Sequence, residues 1–344
     1  MTQPVEPLRI GVLGAARISK LSIIDPAAAT GTRLVAVAAR DRGRAETFAR
    51  THGIERVHDS YADVIADPEV EAIYNPLANS LHAPWNKEAI LAGKHVLTEK
   101  PFASNSTEAA GVRDLAHGRS LVLFEGFHYV YHPLMKRLMS LLADGELGTL
   151  QHVEITMFMS APPAADPRWS LDLAGGALMD LGCYALHAQR VLGAFAGGQP
   201  RLVGATGAVR AGAPGVDEWA EAHLEFPSGA TGLARCNMSS EHWEMSLRVV
   251  GSAGAARLPD FLYQRHDDRI IIESASGERT EHCGNATSYT YQLQAFIHAV
   301  RDGTPYSTDA DDAVATMSLV DSCYRTIGLE PRPAYTPQKE VRTT

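Results

Sequence analysis

A glycine-containing segment at residues 11–19 carries small side chains at a spacing that could bind a phosphate group. In the register of the pattern GxGxxG, Gly14 takes the tight-turn position, while Ala16 and Ser19 replace the second and third glycines. Small residues let the backbone approach a pyrophosphate, which the N-terminus of the following helix stabilises. A turn that only packs a strand against a helix is the alternative. The motif predicts dinucleotide phosphates against Gly14, Ala16, Arg17 and Ile18.

The residues after the second predicted strand bear on which dinucleotide is bound. An acidic residue at the strand end would accept hydrogen bonds from the adenosine ribose. Here the strand ends in Ala39 and Arg40, and Asp41 follows. Because a guanidinium can grip a 2′-phosphate through two hydrogen bonds, Arg40 favours NADP(H). Asp41 keeps NAD(H) possible, and Arg42 and Arg44 could be solvated surface charges.

The elements that must position this site alternate between strand and helix in the first third of the chain. Short apolar runs predict buried strands at 8–13, 33–39, 70–75, 95–98 and 121–124. Helical segments are predicted between them at 42–49, 61–66, 83–91 and 107–116. This alternation implies βαβ units and a parallel sheet covered on both faces. Residues 1–126 are therefore predicted to form a doubly wound Rossmann domain.

After residue 126 the pattern changes to consecutive strands. Strands are predicted at 150–160, 202–209, 218–226, 231–238, 245–250 and 269–273, and helices at 132–143, 176–192, 289–301 and 309–327. Strands without intervening helices indicate antiparallel pairing, so residues 127–344 are predicted to form an α+β domain with a mainly antiparallel, open-faced sheet. Such a face favours a homodimer or higher homo-oligomer. The last dozen residues are predicted to be a surface tail.

The bulk composition restricts the partners and the location of the protein. A chain of 344 residues is long enough for two domains. Its formal net charge of −9 argues against nucleic acid and anionic membranes as partners. We find no secretory signal and no apolar run near the ~18 residues that span a bilayer. Four scattered cysteines and the lack of an HExxH-like cluster predict no metal site and a cytoplasmic protein.

Three further segments together resemble the Gfo/Idh/MocA family, which includes glucose–fructose oxidoreductase and inositol dehydrogenase. They are YNPLANSLH at 74–82, TEKP at 98–101 and GGALMDLGCY at 175–184. The resemblance extends from residue 10 to about residue 329. It looks nearest to the branch of dimeric dihydrodiol dehydrogenase, aldose dehydrogenase and glucose–fructose oxidoreductase, where a tyrosine replaces the histidine of inositol dehydrogenase-like members.

The resemblance implies four residues around the nicotinamide. Lys100 would lie beside the ring and hydrogen-bond the reacting oxygen, with Glu99 on the nicotinamide ribose. Asn79 and His82 match positions that line the nicotinamide pocket. The peptide bond between Lys100 and Pro101 is expected to be cis. Taken alone, a lysine before a proline is more often a solvated surface residue.

The resemblance also implies a catalytic group on the second domain, where Asp180 and Tyr184 match the pair that faces the substrate. A tyrosine, with a reference pKa of about 10, is a poor base unless a cation stabilises the phenolate. Lys100 could supply that cation and polarise the substrate oxygen, leaving Tyr184 as general acid or base. Asp180, one helical turn earlier, shares its face. Taken singly, Tyr184 could be a core aromatic residue and Asp180 a capping or ion-pairing residue.

Four residues are weaker candidates for substrate contacts: His187, Arg168, Trp169 and His128. His187 falls where many family members have an acid, and core or loop packing explains His128 and Trp169 equally well. Val130 departs from the family pattern, because relatives often carry an arginine at that position.

The sequence therefore predicts an NAD(P)-dependent oxidoreductase that transfers hydride between nicotinamide and a carbinol or carbonyl. The expected partner is a small polyhydroxylated substrate such as a sugar, cyclitol or diol. Two alternatives stay open. One is a non-catalytic dinucleotide-binding regulator with the same fold, and the other is an enzyme that uses bound NAD for redox-neutral glycoside cleavage.

Overall fold

Two β-sheets, each with helices packed on it, make up the computed structural model, which describes residues 6–336. Residues 1–5 and 337–344 lie outside this description. Most of the predicted C-terminal tail, and the beginning of the N-terminal stretch inspected for a secretory signal, are therefore not described. Within residues 6–336, no helix is long and apolar enough to cross a membrane.

The first sheet has six parallel strands in the order β3-β2-β1-β4-β5-β6. The strands are β1 (Arg9–Leu13), β2 (Arg33–Ala38), β3 (Arg56–Val57), β4 (Ala72–Asn75), β5 (His95–Thr98) and β6 (Leu123–Glu125). The chain winds outward on both sides of β1, which pairs with β2 and with β4. The predicted doubly wound parallel sheet is confirmed, and a crevice forms at the strand ends where the winding reverses.

Five α-helices accompany this sheet: α1 (Asp25–Thr30), α2 (Arg42–His52), α3 (Tyr61–Ala66), α4 (His82–Leu91) and α5 (Ser106–Ala116). Three of them begin at polar capping residues. The side chains of Asp41, Ser60 and Asn105 each accept a hydrogen bond from a backbone N–H in the first turn of the helix that follows. Such caps satisfy N–H groups that have no partner within the helix and so fix where the helix starts.

The second sheet has eight strands in the order β14-β13-β12-β11-β7-β10-β9-β8. They are β7 (Leu150–Phe158), β8 (Arg201–Val209), β9 (Asp217–Glu225), β10 (Thr231–Asn237), β11 (Glu244–Gly251), β12 (Gly254–Leu258), β13 (Arg269–Ser274) and β14 (Gly277–His282). Neighbouring strands are antiparallel except β7 and β10, which run parallel. The prediction of a mainly antiparallel sheet is confirmed.

Four α-helices belong to the second half: α6 (Pro133–Ala143), α7 (Cys183–Leu192), α8 (Ser288–Asp302) and α9 (Ala310–Thr326). A π-helical turn, Leu178–Gly182, leads directly into α7, which contacts β7 and β10. Strand β9 shows why one face of the sheet is covered: Ala220, Ala222 and Leu224 are buried, whereas Trp219 and His223 on the other face are exposed.

The turn before α7 is anchored by a buried ion pair between Asp217 and Arg332. Asp217 also accepts hydrogen bonds from the backbone N–H of Leu178 (2.6 Å) and from the hydroxyl of Tyr324 (2.9 Å). Gly176 has a φ of 128°, and a Cβ there would overlap Asp217 and Arg332. The glycine is therefore required for the close approach that sets the start of this helical segment.

Candidate active site

A cleft of roughly 500 Å³ lies between the carboxyl ends of the first sheet's strands and residues of the second sheet. It is continuous from the glycine-containing loop after β1 to the helical segment that ends in α7. Predicted site residues that line it are Gly14, Ala16, Arg17, Ile18, Arg40, Asn79, His82, Glu99, Lys100, Arg168, Asp180 and Tyr184. Segments far apart in sequence thus converge on one cavity.

The loop after β1 offers a cradle that a dinucleotide phosphate fits. Gly14 has a φ of 88°, its N–H donates to the carbonyl of Ala38 (2.7 Å), and a Cβ there would lie 3.0 Å from Leu77. The backbone can therefore turn sharply with no side chain filling the cleft. The side chain of Arg17 is 85% exposed at the rim, where it pairs with Asp166 (3.1 Å). The helical segment that follows begins at Lys20.

The end of β2 presents two arginines to the cleft. Arg40 and Arg44 both line it, and Arg44 also donates to the carbonyl of Ala15 (3.2 Å). Asp41 is occupied otherwise, because its Oδ1 accepts the N–H of Arg44 (2.7 Å) as the cap of α2. Arg42 turns away from the cleft and pairs with Glu46 (3.0 Å).

Three residues line the cleft next to Lys100, namely Asn79, His82 and Glu99. Asn79 donates through Nδ2 to the carbonyl of Ala174 (2.9 Å) and so ties the first sheet's loop to the loop before α7. His82 lies between the carbonyls of Pro101 (2.7 Å) and Leu77 (2.9 Å). Burial lowers the pKa of His82 to about 4, against the raising effect of those carbonyls.

Glu99 is buried, and its Oε1 accepts the hydroxyl of Tyr74 (2.8 Å). Burial raises the pKa of Glu99 even though Tyr74 and Lys100 oppose the shift. The peptide bond between Lys100 and Pro101 is cis.

Lys100 and Asp180 form an ion pair across the cleft, with 2.8 Å between Nζ and Oδ1. The Lys100 ammonium also donates to the backbone carbonyl of Asp180 (2.7 Å), and Arg168 binds the other carboxylate oxygen (2.8 Å). Burial would raise the pKa of Asp180, but the two cations outweigh it and the pKa is lowered. Burial would lower the pKa of Lys100, yet the charge of Asp180 outweighs it and the pKa is raised. Both groups are therefore ionised at neutral pH.

Tyr184 lies against Lys100, with Nζ 4.9 Å from the centre of its ring. Its hydroxyl is 3.1 Å from Nε2 of His128, which stands behind it in the core. Burial raises the pKa of Tyr184 well above its usual value. In this arrangement the ammonium of Lys100 lies over the ring and pairs with Asp180, and stabilisation of a Tyr184 phenolate by Lys100 stays a prediction.

Three of the weaker candidates, His187, Trp169 and His128, are not among the residues that line the cleft. His187 is fully buried, stacks on Phe127 with 3.9 Å between ring centroids, and bonds Asp312 through Nε2 (2.9 Å). The indole N–H of Trp169 donates to the carbonyl of Pro162 (3.2 Å). The side chains of His187 and Trp169 are used in packing, which leaves neither facing a substrate.

The lining residues that were not predicted include Met159, Trp243, Met245, Tyr263 and Tyr289. Met159 directly follows β7, and Met245, near the start of β11, pairs with Met157. The alternation of β11 could have identified Met245 as inward-facing, but Trp243 and Tyr263 lie in connecting segments with no periodicity. Among residues 6–336, no group of three His, Cys, Asp or Glu side chains could hold a metal ion.

Two family models match the chain. Residues 8–127 match the model described as an oxidoreductase family with an NAD-binding Rossmann fold, and residues 135–257 match the GFO/IDH/MocA C-terminal domain. Among curated proteins, D-xylose 1-dehydrogenase (NADP(+)) 2 from Haloferax volcanii is 33% identical over 92% of this chain and 96% of its own length. Trans-1,2-dihydrobenzene-1,2-diol dehydrogenase from Sus scrofa is 33% identical over 74% of each chain.

Solved structures resemble the fold closely. A 3-ketoreductase from Actinomadura kijaniata in complex with NADP and TDP-benzene superposes with a TM-score of 0.85 and 27% identity, covering 93% of this chain and 98% of the reductase. Further structures of that reductase carry a lysine-to-alanine or a tyrosine-to-phenylalanine substitution. An aldose–aldose oxidoreductase from Caulobacter crescentus, 24% identical and covering 94% of this chain and 98% of its own, has the same fold with a TM-score of 0.86.

Proposed function

The chain belongs to the Gfo/Idh/MocA family of oxidoreductases with an NAD-binding Rossmann fold, and we propose that it is an NADP(H)-preferring dehydrogenase or reductase of polyhydroxylated substrates. The observation that carries the proposal is the meeting of Lys100, Asp180 and Tyr184 in a cleft that continues into the loop at Gly14. The substrate would be a sugar, cyclitol or diol.

The preference for NADP(H) rests on Arg40 and Arg44, which line the cleft at the end of β2. Both guanidinium groups can meet a 2′-phosphate there. Asp41 is held as the cap of α2 and is a weak candidate for binding a ribose hydroxyl. The names of the xylose dehydrogenase and of the reductase complex both specify NADP. NAD(H) would bind more weakly through the same loop.

Catalytic roles are proposed for three residues. Bound nicotinamide would supply the hydride acceptor or donor. Lys100, kept charged by Asp180, would donate a hydrogen bond to the reacting oxygen and stabilise negative charge on it. Tyr184 would exchange the proton of that oxygen. Asp180 would hold the ammonium in place while Arg168 holds Asp180.

The spacing of the catalytic residues gives independent support. In the Actinomadura kijaniata reductase, the substituted lysine and tyrosine are separated by the same number of residues as Lys100 and Tyr184. That reductase was therefore altered at a pair that corresponds in spacing to the pair in this cleft.

The charges around Lys100 favour an uncharged substrate. Lys100 pairs with Asp180, and Arg168 pairs with both Asp180 and Asp166. These cations are thus balanced by carboxylates before any substrate arrives. Because a phosphate or carboxylate on the substrate would have to displace one of these pairs, neutral polyols and aldoses suit the site better.

The test is the absorbance of reduced cofactor at 340 nm, measured with NADP⁺ and NAD⁺ across aldoses, cyclitols, vicinal diols and their phosphates. We expect turnover of a neutral substrate with NADP⁺ preferred. Lys100→Ala and Tyr184→Phe should each lower kcat by roughly 100-fold or more. Tyr291→Phe is the matched control, because this tyrosine lies outside the cleft. Tight cofactor binding without turnover in either direction would contradict the proposal.

We further propose that the protein forms a homodimer through the outer face of the second sheet. Trp219 is exposed on this face, and Phe158 lies on the same row of the sheet. An ion pair between Arg235 and Glu154 makes the remainder of the face polar. Light scattering should give the dimer mass, and Trp219→Glu should shift it towards the monomer. A monomer mass for the wild-type protein would refute this state.

We also propose a cytoplasmic location. The four cysteines are free thiols, and three of them are buried. A reducing compartment suits such thiols. Fractionation of cells should find the protein with cytoplasmic markers, and recovery with an exported fraction would contradict the proposal.

A further inference from the structure

In the core, the hydroxyl of Tyr184 is 3.1 Å from Nε2 of His128, and Tyr289 is close enough to hydrogen-bond the same hydroxyl. On the far side of the ring, Nδ1 of His128 is 2.7 Å from Oγ of Ser288. Ser288 in turn donates to the backbone carbonyl of Leu262 (3.3 Å). A chain of three hydrogen bonds therefore runs from the cleft into the protein.

The direction of this chain follows from its end. Because the carbonyl of Leu262 can only accept, we assign the Ser288 proton to it, and Ser288 then accepts from Nδ1–H of His128. Nε2 of His128 then carries a lone pair and accepts a hydrogen bond from the Tyr184 hydroxyl. As a result the Tyr184 oxygen turns a lone pair towards the cleft, where a substrate hydroxyl would donate to it.

Packing holds His128 in this orientation. The ring stacks on Tyr289 with 3.8 Å between centroids, and the residue is 1% exposed. Burial, assisted by the charge of Lys100 and by His132, lowers the pKa of His128 to about 3. The imidazole is therefore neutral and free to accept a hydrogen bond at neutral pH.

Because burial also keeps Tyr184 protonated, the phenol cannot take a substrate proton unless its own proton leaves. We infer that His128 is a positioning residue that receives the phenol proton of Tyr184. Tyr184 then passes a proton on and does not act as a phenolate. During oxidation the substrate hydroxyl proton bonds to the Tyr184 oxygen while the phenol proton bonds to Nε2 of His128. The hydride leaves with the nicotinamide of the proposed function, on which this inference rests.

Charge and atoms balance in this relay. One O–H bond of the substrate breaks and one forms at Tyr184, while the O–H bond of Tyr184 breaks and an N–H bond forms at His128. The imidazolium then returns its proton through Tyr184 to water after the product departs. Reduction is the reverse: water first supplies a proton through Tyr184 to Nε2 of His128, and the carbonyl oxygen then receives the proton of Tyr184 while the imidazolium returns its own proton to the Tyr184 oxygen.

The kinetic test compares His128→Asn with His132→Asn in single-turnover reduction of NADP⁺. An asparagine can accept the bond from Tyr184 but cannot take its proton. We expect His128→Asn to slow cofactor reduction roughly 10- to 100-fold. The affinity for NADPH should stay within about twofold. The control variant, His132→Asn, removes a histidine that caps α6 outside the cleft. It should react at nearly the wild-type rate.

A proton inventory in mixtures of H₂O and D₂O separates a relay from a structural effect. The wild-type protein should give a curved inventory, as expected when two protons move together, and His128→Asn a linear one. Wild-type rate and curvature in His128→Asn would overturn the inference. Absence of turnover in the wild-type protein would instead overturn the proposed function, and the relay with it.

A spectroscopic test needs no turnover. With ¹⁵N-labelled histidine, NMR should show His128 protonated on Nδ1 and not on Nε2 between pH 5 and 8, and Tyr184→Phe should shift only the Nε2 signal strongly. A proton resident on Nε2 would overturn the inference, even if the His128→Asn variant failed to fold.

Discussion

At the scale of residues, the site is a row of alternating charges formed by Arg17, Asp166, Arg168, Asp180 and Lys100. From the rim to Lys100, the distances between neighbouring charged groups are 3.1, 3.5, 2.8 and 2.8 Å. The row connects the loop that would hold the dinucleotide phosphates with the lysine proposed to hold the reacting oxygen. The position of the Lys100 ammonium thus depends on charges from segments of both halves of the chain.

The row also explains what the sequence could and could not predict. Lys100, Asp180 and Tyr184 were found because they stand in segments with a distinctive order and spacing. His128 was a weaker candidate for a substrate contact, but its bond to Tyr184 was not predicted, because the two residues have no spacing relation and meet only through packing. The pKa of Tyr184 could not be predicted either, since burial dominates it.

The first prediction concerns cofactor selectivity. Arg40→Ala should raise the Kd for NADPH roughly 10- to 100-fold, because a charge-assisted hydrogen bond worth about 1.5–3 kcal/mol is lost. The Kd for NADH should change little. Fluorescence titration measures both, and Arg42→Ala is the matched control because Arg42 pairs with Glu46 outside the cleft. Equal weakening of both cofactors would contradict the role of Arg40.

The second prediction concerns pH and His128. Its pKa is about 3 when folded, against about 6.5 when unfolded. The unfolded chain therefore binds an extra proton in this window, and the stability present above pH 6.5 is lost as the pH falls towards 3. Between pH 7 and pH 5 this loss amounts to about 2 kcal/mol.

Urea unfolding of the wild-type protein and of His128→Asn at pH 7 and pH 5 measures this effect. The variant lacks the titrating ring, so its free energy of unfolding should fall by about 2 kcal/mol less than that of the wild type between pH 7 and pH 5. Parallel losses in the two proteins would show that His128 is not held neutral.

At the scale of elements, the helical segment that carries Asp180 and Tyr184 is fixed by what precedes it. Gly176 lets the chain approach Asp217 and Arg332, and Asp217 binds the N–H of Leu178 at the start of the π-helical turn. The sequence predicts one helix over 176–192, whereas the structure has the turn Leu178–Gly182 before α7. Periodicity could not reveal this turn, because both forms present apolar residues to the core.

Short or polar elements were the other omissions. Strand β3 has two residues and no buried side chain, and β14 has an almost wholly polar sequence. Strand β12 begins at Gly254, within a stretch that turn residues mark as a connection. Each forms a strand because its backbone hydrogen-bonds to the neighbouring strand. The hydrophobic pattern of a sequence does not reveal this pairing.

The third prediction tests the anchor of this helical segment. Gly176→Ala should destabilise the protein by about 3 kcal/mol or more, because a Cβ would overlap Asp217 and Arg332 at a backbone conformation that alanine rarely adopts. Gly204→Ala is the control, since a Cβ there meets nothing within 4 Å. Its stability should stay within about 1 kcal/mol of wild type. Similar urea midpoints for the two variants would contradict the anchoring role.

At the scale of the whole molecule, the cleft exists only because the two sheets' segments meet. Asn79 bonds the carbonyl of Ala174, and Arg17 pairs with Asp166, so loops of the first sheet are joined to the connection before α7. The alternation of elements predicts both sheets. It does not predict which side chains the second sheet places over the first, which is why Trp243 and Tyr263 were missed.

The fourth prediction concerns cofactor binding in the cleft where segments of the two sheets meet. A ligand that binds only the folded protein stabilises it by about 2.7 kcal/mol at 100 times its Kd. NADPH should therefore raise the unfolding temperature by several degrees, and NADH at the same concentration should raise it less. Differential scanning fluorimetry with wild type and Arg40→Ala measures this. An equal shift by both cofactors would contradict the preference for NADP(H).

The most direct test of the account follows the hydride itself. The protein is incubated with NADP⁺ and the best neutral substrate from the panel, carrying deuterium on the carbon that is oxidised, and the reduced cofactor is analysed by mass spectrometry. The account predicts one deuterium on the nicotinamide of each NADPH formed, and little or no NADPH with Tyr184→Phe. Substrate consumption without net NADPH, as in redox-neutral glycoside cleavage, or NADPH without the label would contradict it.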